Sequence, residues 1–169
     1  MADFTLKTYI KLLDALQQSG YEFYTFAEWC ENKPAGKIVI LRHDIDKRPK
    51  NGLKIAKLEN KMGIKSTYYF LVRGFIFRPD IIREIASLGH ETGYHYRDLV
   101  QTNGNKEKAI EYFENNLTFA RSIAPIITIS MDGCPWSKYD NRDLWKEYDY
   151  HDFKIEGEPY FDFINKDTL

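Results

Sequence analysis

The sequence predicts an α/β fold in which helices alternate with the strands of one parallel sheet, open or closed into a barrel. Three observations carry this. Residues 37–41, 66–72, 91–96 and 126–131 are short runs rich in β-branched or aromatic residues. The stretches between them hold segments of helical character. Gly63, Gly89 and Pro125 fall where those segments should stop.

Taken in order, residues 5–18 place Leu6, Ile10, Leu13 and Leu16 at helical spacing, with Gly20 as a stop. Residues 21–29 are aromatic and read equally as strand or helix. Residues 37–41 follow Pro34 and Gly36 and read as a buried strand. A helix is expected from about Pro49 to Met62, and a strand dense in Tyr and Phe over 66–72. A second helix runs from Pro79 to Leu88, and a third strand from Glu91 to Tyr96. A long amphipathic helix over 107–123 leads to a fourth strand over 126–131. In such folds the reactive groups gather at the C-terminal ends of the strands.

The chain has 169 residues, enough for one domain with a real core. With 25 acidic and 24 basic residues the net charge is −1, so charge argues neither for nucleic acid nor for an anionic membrane surface. Twelve Tyr and eleven Phe suit either an aromatic core or a sugar-binding cleft, and composition does not separate the two. Cys30 and Cys134 lack metal-type spacing and do not suggest a disulfide framework. The first residues lack the charged and apolar regions of a leader, and no apolar run approaches a membrane span. A soluble, cytoplasmic protein with no membrane insertion is expected.

The first strand ends in Leu41-Arg42-His43-Asp44-Ile45-Asp46. Side chains alternate along a strand, so Arg42, Asp44 and Asp46 share one face. Two carboxylates there could divide the work of metal ligand and general base. They could equally cap the following helix or pair with Arg42. On the third strand Glu91, Gly93 and His95 share a face, and His95 stands level with the aspartates. His90, at the far end of that strand, reads as a satisfied structural group. A first-row metal would draw on imidazole and carboxylate together, polarise a carbonyl and acidify a water, which is the chemistry of amide hydrolysis.

The segments LRHDID, GIKSTYYF and GHETGYHY resemble the polysaccharide deacetylase family, carbohydrate esterase family four. The stretches SMDGCPWSKYDNRDLW and EGEPYFD resemble a branch associated with bacterial surface-polysaccharide and O-antigen-type clusters. The resemblance implies a distorted (β/α) barrel, here incomplete at the C-terminus, with the tail over 161–169 reading as a chain cut near a strand. It implies Asp44 as base, and Asp46 and His95 as ligands of a divalent metal: zinc, with cobalt or nickel as alternatives. The substrate would be an amino sugar of a surface polysaccharide or its precursor, losing an N-acetyl group.

The chain departs from the family pattern at several points. Leu99 stands where a second metal histidine is usual, and Asp98 could substitute if the loop bends. The arginine of the third motif is missing, and Arg42 could orient the base instead. Asp132 stands where that branch often has histidine, and could add to the metal or substrate contacts. His151 reads as a surface residue rather than the family's general acid. Arg73 could hold a substrate group or form a surface ion pair, and Trp136 could stack on a sugar or pack in the core. Asp140 to Asp143 reads first as a helix N-terminus. These departures leave a second reading, a non-catalytic barrel that binds a sugar or partner, and a third, hydrolysis of a small formamide or cyclic amide.

Overall fold

Residues 38–45 form one extended run that changes partner halfway. Its first part, β2 (Ile38–Ile40), pairs in parallel with β1 (Glu22–Tyr24). After Leu41 the run continues as β3 (Arg42–Ile45), parallel to β4 (Thr67–Phe70). The single strand expected over 37–41 is therefore two, and the second carries the aspartates forward. The computed structural model describes residues 5–164.

From β4 the sheet runs on in parallel to β5 (Glu91–Tyr96) and β6 (Ile129–Met131), in the order β3-β4-β5-β6. Strand order follows chain order without the reversal that defines a doubly wound sheet. The sheet curls as half of a barrel. Helices make the crossovers: α3 (Pro49–Lys61), α4 (Pro79–Ser87), then α5 (Asp98–Gln101) with α6 (Lys106–Arg121). An open barrel should leave a bare edge on β6. Residues 156–158 cover it. Glu156 donates its N–H to Ile127 O at 2.8 Å, and Gly157 O accepts from Ile129 N–H at 3.1 Å. The Glu158 carboxylate then accepts from Met131 N–H at 3.0 Å. The chain goes on into α7 (Pro159–Asp162), a helical turn where a strand was expected nearby. Residues 165–169 of that expectation lie outside the described residues.

The ambiguous aromatic run over 21–29 splits into β1 and α2 (Phe26–Asn32). A reciprocal cap decides the point. The Thr25 side chain accepts from Glu28 N–H, and Glu28 accepts from Thr25 N–H. Helix α2 then closes the lower end of the half-barrel. Phe26, 2% exposed, donates its N–H to Thr67 Oγ1 at 2.8 Å, and Ala27 N–H reaches the Glu91 carboxylate at 2.8 Å.

The two faces of the sheet differ. The outer face buries Tyr68, Phe70, Tyr94 and Tyr96 against Ile82, Ile85 and Phe113 of the helices. Phe113 meets Tyr94, Tyr96, Trp145 and Phe153 ring to ring. Much of the aromatic content is thus core. On the same face, beside helix α1 (Leu6–Gln18), sits a polar hub. Glu59 is fully buried and accepts from Ser66 Oγ at 2.7 Å, Tyr68 OH at 2.6 Å and the Tyr9 hydroxyl, with His43 Nε2 at 2.7 Å. Burial pushes the Glu59 carboxyl up, but these partners, His43 foremost, bring it below its ordinary value.

Candidate functional site

Strand alternation does place Arg42 and Asp44 together. Arg42 forks onto the Asp44 carboxylate, Nε to Oδ1 and Nη2 to Oδ2, each at 2.8 Å. Its guanidinium also sits over the rings of Tyr69 and Tyr160, with the central carbon 5.4 and 5.3 Å from their centroids. Tyr160 comes from α7, so the segment that covers the β6 edge also holds Arg42. Asp44 is therefore fixed in direction by an arginine that is itself packed on two sides.

His95 is held from behind. It is buried, and its Nδ1 lies 2.9 Å from Ser130 O. A carbonyl only accepts, so Nδ1 carries the proton and Nε2 of the neutral ring presents a lone pair. That Nε2 points to the aspartates, 3.5 Å from Asp46 Oδ1 and 3.9 Å from Asp44 Oδ2. Burial raises the Asp46 carboxyl, His95 opposes the rise, and Asp132 and Asp44 add to it by repulsion. Ser130 pairs in register with His95, and its hydroxyl is buried with no hydrogen-bond partner among the described residues.

The fit of a metal can be tested on these distances. Two donors about 2.1 Å from a tetrahedral ion stand about 3.4 Å apart. The His95 and Asp46 donors meet that spacing, and the carbonyl behind His95 is the support a ligating imidazole usually has. They fit as two ligands. Among the described residues no group of three His, Cys, Asp or Glu converges closely enough to hold a metal.

Asp98 does not supply the third. It is fully buried on the outer side, where both carboxylate oxygens accept from Tyr94 OH at 2.8 Å and Oδ1 accepts from Asn116 at 2.9 Å. Tyr94 faces the helices and His95 faces the opposite way, so the loop bend that would bring Asp98 to His95 is absent. Burial raises the Asp98 carboxyl to about 6. Leu99 is core, 2% exposed.

The site opens into a cleft of about 1080 Å³ whose walls include Asp46, Arg73, Arg97, Asp132 and Trp136. Asp132 lies 3.4 Å from Arg97 Nη1, and its Oδ1 accepts from Cys134 N–H at 3.3 Å. Trp136 is 98% exposed, so it packs in no core. Arg73 is exposed on the same cleft. His90 is structural as expected: Ser66 N–H donates to Nδ1 at 3.2 Å, and Nε2 donates to Ala56 O at 2.9 Å. His151 is exposed beside Asp149. Asp140 caps the turn Asn141–Lys146.

Sequence reasoning missed Arg97, Ser130 and Tyr160. Alternation could have found Ser130, which continues the His95 face on the next strand. Tyr160 lies within the EGEPYFD stretch, but nothing in the spacing placed that four-residue turn beside Arg42. No helix among the described residues is long and apolar enough to cross a membrane. No family model matches the chain, and no curated protein matches it.

Proposed function

We propose that the cleft hydrolyses an amide on an amino sugar, most simply an N-acetyl group of a surface polysaccharide or its precursor. The polysaccharide deacetylase resemblance supplies the reaction class. The observation that supports it is His95 Nε2, which stands 3.5 Å from Asp46 Oδ1 and 3.9 Å from Asp44 Oδ2. Asp46 and His95 would hold a divalent cation, zinc by donor type and cobalt or nickel by the same chemistry. When bound, that cation supplies Lewis acidity to the amide carbonyl.

The chain's own groups do the rest. Asp44 takes a proton from the attacking water, because its carboxylate is held in one orientation by the Arg42 fork. Arg42 is a positioning residue: it touches the base. The Ser130 hydroxyl, without a partner beside His95, can donate to a polar group that enters the floor of the site. Arg73 and Trp136 hold the saccharide from the cleft walls, and Asp132 keeps Arg97 at the rim.

A second reading, a sugar-binding protein without turnover, is favoured by one observation. Only two of the described side chains stand at ligand spacing, and the position after Asp98 is an apolar core residue. Metal content and turnover separate the two. About one zinc, cobalt or nickel per chain, lost in His95→Ala, together with acetate release from N-acetylated oligosaccharides, supports the hydrolase. Asp44→Asn should then abolish turnover and keep the metal. Metal-free protein after incubation with zinc, with no acetate released, sinks it.

A further inference from the structure

The charge of the cleft runs against that of the chain. The whole sequence carries −1, yet the cleft walls carry Lys47, Arg73, Arg97 and Lys138 against only Asp46 and Asp132. Arg97 faces Asp132 at 3.4 Å, so that pair cancels. Lys47, Arg73 and Lys138 have no carboxylate partner among the described residues. Of the four cleft cations Arg97 alone has a carboxylate partner, so the cleft walls keep an excess of positive charge. Arg97 adds a second sign, because its Nε is buried with no hydrogen-bond partner among the described residues. An N–H left so is costly unless something enters to accept from it.

Two rings stand on the same walls, Phe75 at 82% and Trp136 at 98% exposure. A large ring left in water at the mouth of a cleft offers a flat apolar face to a ligand. The cleft, about 1080 Å³, lies at the upper limit of the roughly 300–1,000 Å³ usual for small ligands, which suits more than one sugar ring.

We propose that this cleft takes an anionic saccharide, one bearing a carboxylate or phosphate that Arg73, Lys47 and Lys138 recognise while Phe75 and Trp136 stack on its rings. The inference rests on reading the cleft as the substrate site, and it names the substrate class. A neutral N-acetylated glycan would leave the cations without partners. An anionic one pairs them.

Binding is measured by calorimetry at low ionic strength, independently of turnover. The probes are a neutral N-acetylglucosamine tetrasaccharide, and a tetrasaccharide alternating glucuronate with N-acetylglucosamine. A second pair is N-acetylglucosamine and its phosphate ester. At least tenfold tighter binding of one anionic probe than of its neutral counterpart is expected, and which pair shows it tells carboxylate from phosphate. The preference should weaken as salt rises. It should shrink severalfold in Arg73→Gln and in Lys138→Gln, both exposed positions where folding is not at stake. Equal affinities, a preference untouched by both variants, or no binding of either anionic probe at millimolar concentration overturns the proposal. A protein that prefers the anionic probes but releases no acetate overturns the hydrolase reading and leaves this one standing.

Discussion

Replacing Asp98 with asparagine should stabilise the protein at neutral pH and leave its metal affinity alone. Asp98 is fully buried, with Tyr94 OH and the Asn116 amide as partners. Burial raises its carboxyl from 3.8 to about 6. The folded state therefore binds the proton more tightly than the unfolded chain does. The ionised form costs on the order of 3 kcal/mol once the pH is above the folded value. That cost is absent below the unfolded value and grows as pH rises between the two. Asparagine stands in for the protonated acid and keeps an oxygen for Tyr94 and Asn116. The expected gain is at most about 3 kcal/mol near pH 8 and close to zero near pH 4. Urea unfolding of both proteins at the two pH values measures it. A variant less stable near pH 8, or a difference independent of pH, refutes the reasoning. Loss of metal in this variant would refute the placement of Asp98 away from His95.

Glu59→Ala should destabilise by about 2–6 kcal/mol, because it strands the fully buried Ser66 and Tyr68 hydroxyls at about 1–3 kcal/mol each. Denaturant titration checks it, and Glu59→Gln should lose less. The pH sense at Glu59 is opposite to that at Asp98: its carboxyl is lowered, so its contribution is present above its ordinary 4.5 and lost as pH falls through the folded value. Gly93→Ala would set a methyl 2.3 Å from the buried Tyr69 ring and 3.1 Å from Thr128 O. That overpacking should cost roughly 1–3 kcal/mol in thermal or urea unfolding. In the hydrolase reading, Arg42→Lys should lower kcat roughly 10–100-fold with metal content unchanged, since an ammonium cannot fork onto Asp44. An unaltered kcat would remove the positioning role.

What was legible in the chain was what depends on near neighbours. The period of two along residues 42–46 and 91–96 put Arg42 against Asp44 and His95 level with both aspartates, and the structure keeps each of these relations. Pro49 and Pro79 opened helices where expected. The aromatic run over 21–29 stayed ambiguous because its hydrophobicity fits either element. The deciding signal was polar, Thr25 and Glu28 three residues apart. Relations between distant segments were not legible. Ser130 O behind His95, Tyr160 over Arg42 and residues 156–158 along β6 all depend on the curl of the sheet. Asp98 was misjudged for the same reason. One residue short of the expected ligand position looks minor along the chain, yet Asp98 opens α5 and its carboxylate is taken up by Tyr94 and Asn116 on the helix side.

The same parity explains how one strand serves both fold and chemistry. His43 points outward and joins the Glu59 hub, while its neighbours Arg42 and Asp44 point inward to His95. On β5 the division repeats. Tyr94 and Tyr96 pack under α6, while Gly93 yields space to Tyr69 and His95 faces the aspartates. Glu91 anchors the inner face at the closed end, accepting from Thr67 and Ala27. On the outer side Glu59 is satisfied by four groups, His90 by two backbone groups and Asp98 by Tyr94 and Asn116, while Tyr96 OH and Trp145 Nε1 find no partner among the described residues. Inward, at the open end, the groups are left incomplete. Ser130 Oγ and Arg97 Nε lack partners among the described residues, and His95 Nε2 and Asp46 Oδ1 stand 3.5 Å apart. Buried polar groups left short of partners are costly, and Arg97, unlike Tyr96 and Trp145 in the core, stands on the cleft wall where a ligand can supply the missing acceptor.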